Sequence, residues 1–361
     1  RDFFTAMRDY ARSLNPNAVL TANNSLNHRD VLFSQCHDYA YNIPEMSRAE
    51  DWVVIEDMSS QPRVLPDGTV MECAPTYAQL HAVLHGKPLI AVTIAENDYH
   101  TPPNLVCLAM CEAAACNAGY LLWSTWPEEQ RERMATLVRP YADWLRGHAE
   151  LLYASRPRRD VLVFFPFRQW INTRECAASP MARELTAANI PYEVVSEDRF
   201  GDALETSSVL LLESRVICTP DEQSQVTAFE VKGGHVLEAV EKAWFASVKA
   251  TIPNPSLRLH GPKTVRGIVR DGPDTSLVFL YNLNIERISS FDDKVTPVND
   301  VIVEVSAPFK PVKTVLHSSP GTAPVPVPFS AEETEPGARI RIEAPPFPVG
   351  LVLIIEKGTS G

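Results

Sequence analysis

Four short apolar runs mark the first third of the chain, and each ends on polar residues: Asn17-Ala-Val-Leu-Thr-Ala-Asn23, Trp52-Val-Val-Ile-Glu-Asp57, Pro88-Leu-Ile-Ala-Val-Thr-Ile-Ala-Glu96 and Gly119-Tyr-Leu-Leu-Trp123. Runs of this kind are what parallel strands buried on both faces look like. Between them the apolar positions change to helical spacing. Asp2 to Leu14 puts Phe3, Met7, Tyr10 and Leu14 on one face and stops at Asn15-Pro16. Further helices are expected over Tyr77 to His85, Leu105 to Asn117 and Glu128 to Tyr153, with Pro140 as a break in the last. Strand and helix thus alternate four times. The fold class is α/β, and residues 1–155 read as the C-terminal half of a (β/α)8 barrel, strands 5 to 8, since a whole barrel takes eight units and about 250 residues. Half a barrel leaves open strand edges. The other four units are therefore expected as a partner, from a separate chain or from a segment not in this sequence.

From Arg158 the pattern becomes that of a small α/β domain, 156–250. Strands are expected at Asp160 to Pro166, Tyr192 to Val195, Ser208 to Leu212 and Gly233 to Leu237, with helices over Pro180 to Asn189 and Pro220 to Lys232, the latter capped by Thr219. The remainder, 251–361, holds half of the chain's 30 prolines and alternating strands at Thr264 to Val269, Ser276 to Tyr281, Val301 to Val305, Val312 to Leu316, Ala338 to Ile342 and Gly350 to Ile355. That pattern predicts an antiparallel β-sandwich.

Hydrophobic content of 45% and charged content of 22% permit a sizeable core. A net charge of -12 argues against a nucleic-acid surface, and no apolar run is long enough for a membrane span. The one basic cluster, Arg156 to Arg159, falls at a domain junction. Seven cysteines without framework spacing favour reduced thiols and a cytoplasmic setting, while an N-terminal signal cannot be assessed.

Chemistry in barrels sits at the C-terminal ends of the strands. The second run ends on Glu56-Asp57, and the third on Glu96, followed by Asn97, Asp98, Tyr99 and His100. Carboxylates there suit glycoside hydrolysis, which needs one acid to protonate the leaving oxygen and one carboxylate to attack or stabilise the anomeric carbon. Asn23 and Asn24 suit sugar hydroxyls, and Trp123 and Trp126 suit the apolar C–H face of a pyranose. Plainer readings stand beside these: Asp57 capping the Ser59-Ser60 turn, and both tryptophans packing.

No metal or cofactor is expected. His81 and His85 have i, i+4 spacing, but Ala82 stands where a zincin places glutamate, and Cys107, Cys111 and Cys116 have no histidine with them. After Pro166 comes Phe167-Arg-Gln-Trp170 instead of a glycine-rich phosphate loop, and neither Cys176 nor Cys218 sits in a nucleophile elbow. The middle domain is therefore expected to be structural, with Phe167, Trp170 and Phe200 supporting a symmetric oligomer. Tyr281-Asn-Leu-Asn284 and the Arg270-Asp-Gly272 turn read as a carbohydrate face or as structural turns.

Barrel, α/β domain and sandwich in this order resemble the architecture of glycoside hydrolase family 42 β-galactosidases. In the segments Val54-Ile-Glu-Asp-Met58, Gly86-Lys-Pro-Leu89, Asn117-Ala-Gly-Tyr-Leu-Leu-Trp123 and Arg158-Arg-Asp-Val-Leu-Val-Phe164 the chain is similar to a group of hypothetical glycosyl hydrolases and to the trimeric β-mannosidases of family 164. The resemblance implies a flavodoxin-like middle domain that trimerises, and a retaining hydrolase acting on terminal sugars of oligosaccharides, of β-galactosidase or β-mannosidase type. It also implies that one catalytic carboxylate lies in this chain and the other in the missing half. Glu56 is the first candidate, as nucleophile. Glu96 is its rival, because family 42 carries its nucleophile on the seventh strand, which ends at Glu96. The alternative is a non-catalytic carbohydrate-binding or scaffold protein on the same architecture.

Overall fold

The computed structural model describes residues 1–24, 36–56, 64–65, 67–68, 70–95, 101–124, 126–173, 176–310, 312–335 and 337–358. Helix α1 (Asp2–Leu14) has the boundaries that its periodicity predicts. Strands β1 (Asn23–Asn24), β2 (Val53–Glu56), β3 (Leu89–Ala95) and β4 (Ala118–Ser124) form a parallel sheet in sequential order, with helices α2 (Ile43–Ser47), α3 (Ala74–Val83) and α4 (Pro103–Ala115) between them.

Two expectations are corrected here. The run at residues 17–23 pairs only through Asn23 and Asn24, because the amides of Asn17 and Ala18 turn back onto Asn15 and the segment that follows is held by carboxylates described below. The long helix breaks at His148 and not at Pro140, giving α5 (Glu128–Gly147) and α6 (Ala149–Ala154). Pro140 removes one helical hydrogen bond but is carried within a 20-residue helix. At the actual break, His148 Nδ1–H donates to the Trp144 carbonyl at 2.8 Å.

The sheet is covered on one face. Val53, Ile55, Leu89 and Ala91 are buried with Tyr77, Leu80 and Val83 of α3. On the other face, among the described residues, Val92 is 3% exposed, Val54 and Ile90 are half-buried and Leu121 is 53% exposed. Helix α1 is oriented the same way. Its arginines face the protein: Arg8 donates to the Ala49 carbonyl at 3.2 Å and Arg12 to Asp51 at 2.5 Å. Its apolar stripe points out, with Phe3 70%, Tyr10 68% and Leu14 71% exposed.

Next comes a second parallel sheet, of β6 (Val161–Phe165), β7 (Tyr192–Ser196), β8 (Val209–Leu212) and β9 (His235–Glu238) in the order β7-β6-β8-β9. Strand β6 is buried along its whole length: Val161, Val163 and Phe165 pack on one side, Leu162 and Phe164 on the other. Its helices are α7 (Phe167–Thr173), α8 (Ala178–Ala187), α9 (Phe200–Glu205), α10 (Pro220–Val231) and α11 (Trp244–Thr251). Thr219 and Glu222 form a reciprocal capping box at the start of α10. Phe167, Trp170 and Phe200, expected to support an oligomer, are 5%, 1% and 1% exposed. They are core because α7 and α9 turn them inward onto β6, so they present no oligomer surface.

The last part has two antiparallel sheets that share one core of Val278, Leu280, Val303, Ile340, Leu353 and neighbours. One sheet runs β10 (Leu257–His260), β15 (Val301–Ala307), β19 (Gly337–Ala344), β18 (Phe329–Thr334). The other runs β17 (Val325–Pro326), β16 (Val312–Ser318), β20 (Gly350–Lys357), β12 (Thr275–Asn282), β11 (Val265–Asp271) and ends on β5 (Arg156–Pro157). A hairpin, β13 (Ile285–Arg287) with β14 (Asp293–Val295), stands apart. The outer face of β12, with Leu277, Phe279 and Tyr281, packs on α4 and α5. Tyr281, Asn282 and Leu283 are all fully buried, and Asn282 Nδ2 donates to the carbonyls of Thr296 and Pro348, so this stretch is a structural turn and no carbohydrate face.

Polar side chains tie these parts together. Arg266 on β11 meets Glu72 at 2.7 Å, with both side chains under 10% exposed. Arg158 forks onto Asp271, and Ser196 Oγ–H donates to the Ala82 carbonyl at 2.7 Å. No disulfide bond joins cysteines among the described residues. No helix among the described residues is long and apolar enough to cross a membrane.

Candidate active site

The C-terminal ends of β1, β2 and β4 carry Asn23, Asn24, Glu56 and Trp123 on one edge of the first sheet. Register sets their levels. Glu56, the last residue of β2, lies opposite Val92, which in turn lies opposite Leu121. Strands β3 and β4 run three residues beyond that level and end together, Ala95 opposite Ser124. Trp123 pairs with Ile94, two residues past Leu121 and so about 7 Å further along its strand at ~3.3 Å per residue. Asn23 is opposite Val54, and Asn24 is opposite Ile55.

Asp57, Glu96, Tyr99 and His100 lie outside the described residues. Trp126 is described: 4% exposed, it packs in a cluster with Leu105, Val106 and Met134, and its indole is core here instead of a sugar platform. Its position just before α5, wedged against α4, explains the burial.

What sequence reasoning missed is the support beneath this edge. Glu50 is 1% exposed; it accepts from Tyr41 Oη at 2.7 Å and from the Ala22 amide at 3.3 Å. Its neighbour Asp51 accepts from the Leu20 amide at 2.7 Å and from Arg12. Burial pushes the Asp51 carboxyl up, but the Leu20 N–H and the Arg12 guanidinium outweigh it and hold the group below the usual carboxylate range. Together the two acids fix the backbone leading to Asn23, which has no ladder of its own. The signal was present, since Glu50-Asp51 immediately precede the second apolar run. A third support is Glu112, wholly buried in the otherwise apolar α4; its Oε1 accepts from the amides of Cys73 and Ala74 at 2.6 and 3.0 Å, holding the start of α3.

The histidine and cysteine candidates are structural. His81 and His85 each hydrogen-bond a carbonyl, of Cys116 at 2.9 Å and of Pro44 at 3.0 Å, and burial pushes the imidazole of each down. Burial likewise pushes the thiols of Cys107, Cys111 and Cys116 up, so they stay protonated and unreactive. No group of three or more metal-ligating side chains occurs among the described residues.

No protein-family model matches the sequence, and no curated protein matches it either. Solved structures do match the fold. α-L-Fucosidase isoenzyme 2 from Paenibacillus thiaminolyticus superposes with a TM-score of 0.68 at 10% identity, over 99% of this chain and 71% of that one. The fold is similar to that of solved glycoside hydrolases. A β-galactosidase from Bacillus circulans sp. alkalophilus gives 0.63 at 11% identity, over 98% of this chain and 66% of its own, and a family 42 β-galactosidase from G. stearothermophilus gives 0.61 at 11%, over 99% and 66%. The chain thus spans just under two thirds of the length of these β-galactosidases.

Proposed function

We propose that the chain is part of a retaining glycoside hydrolase acting on terminal sugars of oligosaccharides, and that the first sheet is strands 5 to 8 of an eight-stranded barrel. One observation carries the reading: a sequentially ordered parallel sheet, in a fold similar to that of solved glycoside hydrolases, ends its strand β2 on Glu56 at the C-terminal edge. The middle sheet is then a flavodoxin-like domain and the last part a β-sandwich, in a homotrimer.

The half-open face supports a missing body. Exposed Leu121 beside half-buried Val54 and Ile90 on the sheet, and separately the outward stripe of Phe3, Met7, Tyr10 and Leu14 on α1, are apolar groups of the kind that another unit covers. Four further βα units, from a separate chain or a further segment of this one, would supply that cover and the second carboxylate. In this mechanism Glu56 attacks the anomeric carbon and the second acid protonates the departing oxygen, the two about 5–5.5 Å apart as retention requires. Glu96 is the rival for the role, and Asn23, Asp57, Tyr99, His100 and Trp123 line the sugar sites.

The test is hydrolysis of a panel of aryl glycosides, β-galactoside, β-mannoside and α-L-fucoside, by the chain joined with its four completing units. Turnover of one glycoside with retained configuration is expected. Saccharide binding without turnover of any of them would favour a non-catalytic carbohydrate-binding protein.

A further inference from the structure

A cleft of about 860 Å³ lies between helices α5 and α6 and the outer face of β12, β16 and β20. It is separate from the strand-end edge. Helix α5 starts at Glu128, and the first cleft residue on it is Thr136, about 12 Å along at ~1.5 Å per residue. Its volume is within the range of small-molecule sites, roughly 300–1,000 Å³.

The floor is apolar: Pro140, Trp144, Leu316 and Ile354. It is also fixed. Trp144 is 7% exposed and its Nε1–H donates to the buried Ser318 Oγ at 2.8 Å, so the ring offers a rigid edge. The far wall is the 321–324 loop, and Gly321, at φ +77°, lets that loop pass beside Pro140.

The rim carries both signs of charge. Arg139 is exposed and has no acidic partner among the described residues. Asp143 pairs with Arg146 at 2.7 Å, and Glu356 has Lys313 at 3.9 Å, at the edge of ion-pair range. The hydroxyls of Thr136, Thr275 and Thr322 stand among them. An anionic ligand would meet two carboxylates here, and a cationic one would meet the unpaired guanidinium. A neutral polyhydroxylated ligand meets neither conflict, because each hydroxyl both donates and accepts hydrogen bonds: it donates to the carboxylates of Asp143 and Glu356 and accepts from the guanidinium of Arg139. Its C–H faces complement the apolar floor.

We infer that this cleft binds a neutral oligosaccharide at a non-catalytic site between helix α5 and the two-sheet part. The inference goes beyond the hydrolase reading and does not need turnover.

The test is titration of the full chain with lactose, mannobiose and cellotriose, read by saturation-transfer NMR and calorimetry, on the parent and on Arg139→Ala, Asp143→Ala, Thr322→Trp and, as a control on the exposed strand β18, Glu332→Gln. Binding of at least one saccharide is expected, weakened tenfold or more by each cleft substitution and unchanged by Glu332→Gln. The cleft substitutions are at exposed positions, and Thr322→Trp blocks the space without removing a charge, so a folding defect in one variant leaves the others decisive. Three results would overturn the inference: no saccharide binds, binding is the same in the cleft variants as in the parent, or benzoate or benzylamine binds the cleft while saccharides do not. Because the readout is binding, a failure of the hydrolase reading leaves this result standing.

Discussion

Replacing Arg270 with methionine should destabilise the chain by about 2–4 kcal/mol, the cost of losing several hydrogen bonds to a charged group, each worth about 1.5–3 kcal/mol, less what water and other donors recover. The residue is 1% exposed, and no carboxylate pairs with it among the described residues. It is held by acceptors alone: Ser155 Oγ at 2.9 Å, Asn117 Oδ1 at 2.9 Å, and the carbonyls of Ala114, Leu152 and Ser155 at 3.1, 2.7 and 2.9 Å. Ala114 lies in the last turn of α4 and Leu152 in that of α6, where carbonyls without helical partners favour a cation. Burial pushes the Arg270 pKa down to about 10, which leaves it charged at neutral pH. Methionine fills much of the same volume but removes every one of these charged hydrogen bonds, while the carbonyls of Ala114, Leu152 and Ser155 keep other donors in the Asn117 amide, the Ser155 amide and hydroxyl, and Arg156. Lysine keeps the charge without the planar fork and should fall between the two. Urea unfolding of the three proteins, followed by tryptophan fluorescence and far-UV circular dichroism, measures the difference. A loss below about 1 kcal/mol for Arg270→Met would refute the claim that this residue clasps the first sheet's helices to the two-sheet part.

Two other perturbations probe the same junctions. A Cβ on Gly350 would lie 2.6 Å from Cys111 Sγ, so Gly350→Ala should cost about 1–3 kcal/mol and Gly350→Ala with Cys111→Ala should recover most of it; a penalty that persists in the double variant would place the strain elsewhere. Asp51 has a depressed carboxyl, so its stabilisation is complete above the unfolded value and is lost as pH falls through the lower folded value, from about pH 4 downward. Asp51→Asn should therefore lower stability at pH 7 and flatten the acid limb of the stability curve below pH 4, and an acid limb identical to the parent's would contradict the assignment.

Most of the elements were legible because their periodicity is local. Helix α1 and the strands β2, β3, β4, β6 and β20 lie within about two residues of where the apolar pattern puts them. What escaped depends on contacts distant in sequence. Helix α11 carries an apolar run, Trp244-Phe-Ala-Ser-Val248, that reads equally well as strand, and only packing against the middle sheet decides it. Strand β18 is exposed at almost every position and exists because Ile340 and Ile342 of β19 offer it a ladder. The same limit applies to the oligomer surface expected of Phe167, Trp170 and Phe200, since a run of aromatics says that something covers them and not what. At the candidate site, the residues ending each strand were legible, whereas Glu50, Glu112 and Arg270 were not, because a buried charge is recognised only by the groups around it.

The account turns on Glu56, and the most direct measurement is the turnover of Glu56→Gln on an activated aryl glycoside, in the completed barrel, with and without azide. The amide keeps the shape and removes the charge, so loss of a nucleophile should lower the rate by several orders of magnitude, at about 1.4 kcal/mol of barrier per tenfold, with folding unchanged. Azide should then restore activity and yield a glycosyl azide of inverted anomeric configuration. Glu56→Gln turning over near the parent rate while Glu96→Gln is inactive would contradict the account and move the nucleophile to the end of β3.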